Sequence, residues 1–520
     1  MSLSTPPEFV SETIRLHPFG EESCEHEIQV LQDQYHQYYY NQSRFNQEVL
    51  DPGVYLIVGR RGSGKTSLTQ YFNFQNRIRN AHSIDVNEPQ VYSHILQGLA
   101  DRNFVSTDLA IGEVVKIWDY LIWTLIFNEY SERDSQIKAA AVMIRKGNAS
   151  HFIHDILDGL IKKYVDESGR LSSEISDRLT SPLFVDARQR VLEFTANEPV
   201  IIAIDTFERY DLYNTAMMVV TASLIQCANN FNIAYAHRGI HVKAFVSAEI
   251  FPHIQETVIT NPTKFIRDPV YLLWRPKDLM RLIAWRFYKY LTVSGYRFPF
   301  NSIDWNNQRE IRQKLWDPFF GAQVRNLCEQ YEQSLPYILR HTQMRPRQMV
   351  ILCNRIARQA TQQGKFPYFK DMSISRAIAS IESELAGEIL SSYSLIYPGA
   401  SDIVTALSAA PPVFQGNYLD QVAKRTSGFW PKGSYSATAF RRLVTELGIV
   451  GRVRKKDPKS GIIEADFEYN MNDRLVLNSD DECVIHPMFY AKLQVKREHQ
   501  YIVYPFPDDD EYRELQLNWL

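Results

Sequence analysis

At 520 residues the chain is about two to four times the usual domain length, which excludes a single domain and predicts a core with further folded units. A composition of 45% apolar, 22% charged and 12% aromatic residues can bury several cores, which excludes a disordered or low-complexity scaffold. With 57 Lys and Arg against 60 Asp and Glu the formal charge is −3, so no whole-chain basic field draws in nucleic acid and any such contact must be local.

The first residues, MSLSTPPEFVSETIRLHPFG, carry prolines and charges where a signal peptide needs an apolar stretch, so export is not expected. The five cysteines, Cys24, Cys227, Cys328, Cys353 and Cys483, show neither a CxxC nor a metal-ligand spacing, which points to a reducing, cytoplasmic setting. Residues 1–45 read as a helical lead-in to a core over 46–270.

Val54 to Val58 is a β-branched apolar run that enters GRRGSGKT, Gly59 to Thr66, and leaves through the helix-compatible SLTQYFNFQ. That strand–glycine turn–helix order gives GxxxxGK[ST] its mechanism. Gly59, Gly62 and Gly64 let the backbone curl so that its N–H groups face phosphate oxygens, and the next helix offers its positive end. Residues Gly59, Arg60, Arg61, Gly62, Ser63, Gly64, Lys65, Thr66 and Ser67 are therefore the expected nucleotide cradle. Lys65 reaches the β- and γ-phosphates, and the Thr66 hydroxyl ligates Mg²⁺.

A second strand is read at His82 to Val86. The long stretch before the next apolar strand predicts a helical insertion, about 93–190, because Val91 to Leu99, Ile111 to Tyr130 and Phe152 to Val165 repeat apolar residues at three- and four-residue steps. Val114 to Phe127 is broken by Lys116 and Asp119 and is too short to cross roughly 30 Å of hydrocarbon, so it reads as a buried helix and no membrane contact is expected. Val200 to Ile204 then ends in Asp205, a carboxylate placed to hold the metal at the end of a central strand. Thr206 follows it, and Glu208 is the nearest candidate base. The next strand, His241 to Glu249, offers Ser247 and Glu249 on one face because strand side chains alternate. Both are candidates to contact the nucleotide, and Glu249 is the second candidate base.

Residues 271–395 begin with Tyr271 to Ile283, in which Pro276 fits a first helical turn, and read as a small helical domain. Within it Arg345-Pro346-Arg347 places two permanent cations on a stiff helix start, where either can meet phosphate. Over 396–495 the helices Ser401–Ala409, Tyr418–Arg425 and Ser436–Leu447, closed by Gly448, precede strands Ile449–Arg454 and Ile462–Tyr469 around the turn Asp457–Gly461. That series spells a winged helix. Arg441, Arg442, Arg452, Arg454, Lys455, Lys456 and Lys459 could bind a phosphate backbone, although Asp457, Glu464, Asp466 and Glu468 dilute them, and a protein partner is the other reading. The acidic Asp508 to Glu511 lies in a tail, 496–520.

Taken together, GRRGSGKT, VIIAID, VKAFVSAEIF, LWRPKDLMRLI, RPRQMVILCN and ELGIVGRV resemble the bacterial P-loop ATPases of the STAND and origin-recognition-like branch of the AAA+ group. The stand-alone ATPases of bacterial conflict and antiphage systems are the nearest in kind, and the resemblance runs from about Phe19 to Leu493. It implies an α/β fold with a parallel-sheet P-loop core, helical insertion, helical lid and C-terminal winged helix. It also implies ATP and Mg²⁺ as ligands, Asp205 as the Walker B acid, Ser247 or Glu249 in the sensor-1 place, and Arg345 or Arg347 as sensor 2. Nucleotide-controlled switching and oligomerisation follow from the same resemblance, with Arg238 and Arg267 as candidate arginines toward a neighbour. Thr206 stands where many such ATPases carry Glu, which predicts slow or stimulus-dependent hydrolysis. The other readings are a DNA-loading or remodelling ATPase of the replication or transposition type and a scaffold that holds ATP without hydrolysing it.

Overall fold

The computed structural model describes residues 17–78, 82–85, 107–141, 173–205, 215–257, 265–394, 396–470, 474–495 and 501–505. Thr206, Glu208, the runs Val91 to Leu99 and Phe152 to Val165, and the acidic run Asp508 to Glu511 lie outside the described residues, whereas Ile502–Tyr504, read as part of a tail, pairs as a strand with Ile462–Glu464. The chain divides into two units, Asn41–Leu272 and Met1–Tyr40 with Leu273–Leu520.

In the first unit the apolar runs read from the sequence form a sheet. Its strands are β1 (Leu56–Gly59), β2 (His82–Asp85), β3 (Val200–Asp205), β4 (Ile240–Ser247) and β5 (Val270–Tyr271). All neighbours pair in parallel, in the order β2-β3-β4-β1-β5. Every residue of β1, β3 and β4 is buried, as expected for a parallel sheet covered on both faces. Alternation sends Val200, Ile202 and Ile204 of β3, and Val242, Ala244 and Val246 of β4, into one core. There they meet α2 (Thr107–Tyr130) and α4 (Thr215–Tyr235), and the shorter loop-to-strand helix α1 (Lys65–Tyr71) follows β1.

The insertion between β2 and β3 is helical where it is described, including α2 and α3 (Pro182–Thr195). Helix α2 is the apolar stretch with Lys116 and Asp119. Trp118, Leu121, Ile122, Trp123, Ile126 and Phe127 are all buried, and the Trp118 indole N–H donates to the Val220 carbonyl at 3.2 Å. Burial pushes the Asp119 carboxyl up to about 6, with Arg188 opposing. No helix among the described residues is long and apolar enough to cross a membrane.

In the second unit, α5 (Pro276–Val293) starts with Pro276 in its first turn and α6 (Pro346–Gln362) does the same with Pro346. A short hairpin, β6 (Gln323–Arg325) with β7 (Tyr331–Gln333), lies between them in sequence. The N-terminal segment is built into this unit. Phe19 is fully buried and stacks on Phe287 at 4.9 Å, with Phe320 and Phe369 each 5.9 Å away. The Phe19 N–H donates to Asn354 Oδ1 at 3.2 Å, and Asn354 Nδ2 donates to the Gly20 carbonyl at 2.8 Å. From helix Cys24–Leu31, Glu27 takes both guanidinium arms of Arg286, at 2.8 and 2.9 Å.

The last part of this unit carries helices Ala400–Thr405, α7 (Asn417–Arg425) and α8 (Ala437–Glu446). Its sheet has the order β12-β10-β9-β11-β8, formed by β8 (Val413–Gln415), β9 (Val450–Lys456), β10 (Ile462–Asp466), β11 (Glu482–Ile485) and β12 (Ile502–Tyr504). β9 and β10 are the expected antiparallel hairpin; the short β8, β11 and β12 were not read from the sequence.

His486 follows β11 and is fully buried. Its Nδ1 accepts from the Met488 N–H at 3.2 Å, so the ring proton sits on Nε2, which pairs with the Tyr469 hydroxyl at 2.7 Å. Burial first, then His341 and Arg340, push its pKa from 6.5 down to about 3. The unfolded chain therefore takes up a proton that the folded chain refuses. The contribution is fully present above the unfolded value and is lost as pH falls toward the folded one, by roughly 1.4 kcal/mol per pH unit. Urea unfolding of this unit is expected to shift to lower midpoints as pH drops below about 6.5, and His486→Gln should remove that part of the slope. An unchanged slope in the variant would contradict the neutral buried ring.

Candidate functional site

The carboxyl ends of β1, β4 and β3 lie side by side, and the chain reverses its order across the sheet there, which is where α/β sheets take ligands. Gly59 pairs in register with Ser247, and the Ala248 N–H donates to the Gly59 carbonyl at 3.1 Å. A Cβ on Gly59 would come within 2.5 Å of Ser63 Oγ and 2.9 Å of Leu272 Cδ1, so the turn closes only over a glycine. Gly64 has φ of 98° at the N-cap of α1, a left-handed conformation that side chains avoid.

This curl brings the predicted residues together. Lys65 is buried, and its ammonium donates back to the carbonyls of Gly59 at 3.1 Å and Arg60 at 3.4 Å. Its charge is thus held over the concave side of the turn. The Thr66 hydroxyl donates to Asp205 Oδ2 at 3.0 Å, joining the end of the turn to the end of β3 across 139 residues of sequence. Among the described residues no group of three His, Cys, Asp or Glu side chains could hold a metal by itself. The Thr66–Asp205 pair instead suits Mg²⁺, which takes one or two protein oxygens and leaves the rest to water and phosphates. Ser67 lies one residue further on, in the first turn of α1.

Ser247 and Glu249 meet as their shared face predicts, the Ser247 hydroxyl donating to Glu249 Oε2 at 2.5 Å. The other carboxylate oxygen accepts the Arg61 N–H at 3.1 Å. Glu249 therefore braces the glycine turn from the neighbouring strand, a role that the sequence did not signal. A second brace was missed as well. Lys243, fully buried on β4, donates to the carbonyls of Asp51, at 2.7 Å, and Val54, fixing the chain where it enters β1. Its one sequence signal is a lysine inside an apolar strand.

The remaining candidates have other surroundings. Arg238 precedes β4, at the opposite end of that strand from Ser247, and Arg267 is exposed just before β5. Arg345 and Arg347 belong to the second unit. Arg345 is buried at the N-cap of α6 and donates to Gln343 Oε1 at 2.8 Å, while Arg347 pairs with Glu388 at 3.2 Å. Gln343 in turn donates through Nε2 to the Leu447 carbonyl at 2.7 Å, tying the start of α6 to the end of α8.

The cations expected to meet DNA are mostly engaged within the unit. Arg441 pairs with Asp420 at 2.9 Å and donates to the carbonyls of Leu477 and Gly416 at 2.7 and 2.9 Å. Arg442 pairs with Glu446 at 2.7 Å and Lys456 with Glu482 at 2.8 Å, while Arg452 and Arg454 both face Asp466 at 3.8 Å. Lys455 and Lys459 are exposed at the tip of the β9–β10 hairpin. Arg441 in particular is a packing residue of α8 rather than a surface cation. Comparison of the chain with protein-family models, with curated proteins and with solved structures finds no match.

Proposed function

We propose that this chain is an ATP-binding P-loop ATPase of the AAA+ kind that works as a nucleotide-controlled switch, with a helical lid and a winged helix that engages a partner. The observation that carries the reading is the Thr66–Asp205 contact beside a glycine turn whose Lys65 ammonium is already held on the concave side. In this reading the triphosphate lies along residues 59–66. Lys65 faces the β- and γ-phosphates, and Thr66 and Asp205 hold Mg²⁺, which spreads the charge of the transferring group. β4 stands between β1 and β3, so Ser247 and Glu249 lie next to the glycine turn. The resemblance to ATPases of bacterial conflict systems supports antiphage defence as the setting, and the internal pairing of Arg441, Arg442 and Lys456 favours a switch over a loader that grips duplex DNA.

Both oxygens of Glu249 are occupied by the Arg61 amide and the Ser247 hydroxyl, which leaves Glu208 as the base that aligns water. Glu208→Gln is expected to slow ATP hydrolysis by about 100-fold with ATP affinity unchanged, in the range for loss of a general base. Glu249→Gln is expected to weaken affinity as well, because the turn loses its brace. Single-turnover rates and calorimetric affinities measured on both variants decide the assignment. An unchanged rate for Glu208→Gln removes the base.

A further inference from the structure

Between α7 and α8 the chain turns through Thr426 to Ser436. From Gln421 to Thr445 there is no Asp or Glu, while Lys424, Arg425, Lys432, Arg441 and Arg442 are all cationic. Arg441 and Arg442 are paired with Asp420 and Glu446, the two acids that flank this stretch, so those acids are already neutralised. Lys424, Arg425 and Lys432 are exposed. The same turn displays aromatic rings. Phe429 is 51% exposed and Tyr435 37%, and half-buried Trp430 is anchored by its indole N–H donating to Thr426 Oγ1 at 3.0 Å.

A duplex would bury its bases away from these rings and meet the cations alone. Unpaired bases present π-faces that stack on Phe and Tyr while their phosphates meet Lys and Arg, and such stacking tolerates any sequence. The geometry points to the α7–α8 turn as a docking surface for single-stranded nucleic acid, with Phe429 and Tyr435 as stacking platforms and Lys424, Arg425 and Lys432 as phosphate contacts. Charge complementarity decides for a polyanion over a protein partner, since the acid-free stretch of cations attracts phosphates and would repel a basic surface. The surface lies in a different unit from the glycine turn, and its test does not depend on nucleotide binding.

The experiment is fluorescence anisotropy of the full chain with labelled oligothymidylate and, separately, with a labelled duplex of equal length. Oligothymidylate is expected to bind more tightly than the duplex. Phe429→Ala with Tyr435→Ala should raise its Kd by at least about tenfold without changing the circular dichroism melt, in line with the worth of a base stacked on an aromatic ring. Lys424→Ala with Lys432→Ala should flatten the dependence of log Kd on log salt by about 1.4 units, the share of two phosphate contacts on a single strand. Equal or tighter binding to duplex, or an aromatic double variant that binds as well as the parent, would overturn the proposal. So would the absence of any binding, which would leave the rings to a protein partner.

Discussion

Lys65→Ala is expected to raise the Kd for ATP by about ten- to a hundredfold, the cost of losing a hydrogen bond between charged groups of roughly 1.5–3 kcal/mol. The side chain is buried and its ammonium sits between the Gly59 and Arg60 carbonyls, so alanine removes both the cation and a clasp on the turn. The melting temperature without nucleotide separates these effects, because a turn that has merely loosened shifts the melt, whereas a lost phosphate contact shows only when ATP is added. Calorimetry on both proteins reads the difference. Equal affinity would remove Lys65 from the site.

The second large effect concerns stability. Arg286→Ala is expected to destabilise the second unit by about 3–5 kcal/mol, the range for leaving one member of a buried ion pair uncompensated. Glu27 is 4% exposed and meets the guanidinium through both oxygens, and Arg286 Nη1 also donates to the Phe19 carbonyl at 3.1 Å. Glu27→Gln combined with Arg286→Met should cost less than Arg286→Ala, because neither charge is then stranded. Urea unfolding of the three proteins tests this ordering. A loss below about 1 kcal/mol for Arg286→Ala would show that the N-terminal segment is not fastened through this pair.

These effects also mark how far the sequence could be read. β1, the glycine turn, β3 ending in Asp205 and β4 were legible, because buried parallel strands are continuous apolar runs and the turn needs glycine at fixed places. Their order was not, since nothing in the residues of β4 says that it lies between β1 and β3. The contacts that hold the site share this difficulty: Arg61 and Glu249 were each legible as site candidates, but they are 188 residues apart and nothing in either stretch pairs the backbone N–H of one with the carboxylate of the other. The same holds for Phe19, whose bond to Asn354 spans 335 residues, so the lead-in gave no sign of its place in the second unit.

Arg441 shows the opposite error. A cluster of cations invites a polyanion, but pairing with Asp420 depends on how α8 packs on α7, which local patterning does not encode. Strands β8 and β12, with three residues each, and β11, with four, are too short to show an alternation.

Titration calorimetry of ATP into the unmodified chain, with Mg²⁺ and again with EDTA, tests the central claim most directly. The account predicts one site per chain whose affinity falls when Mg²⁺ is removed and falls again in Asp205→Asn. No binding heat in either condition, or binding indifferent to both the metal and Asp205, would contradict it.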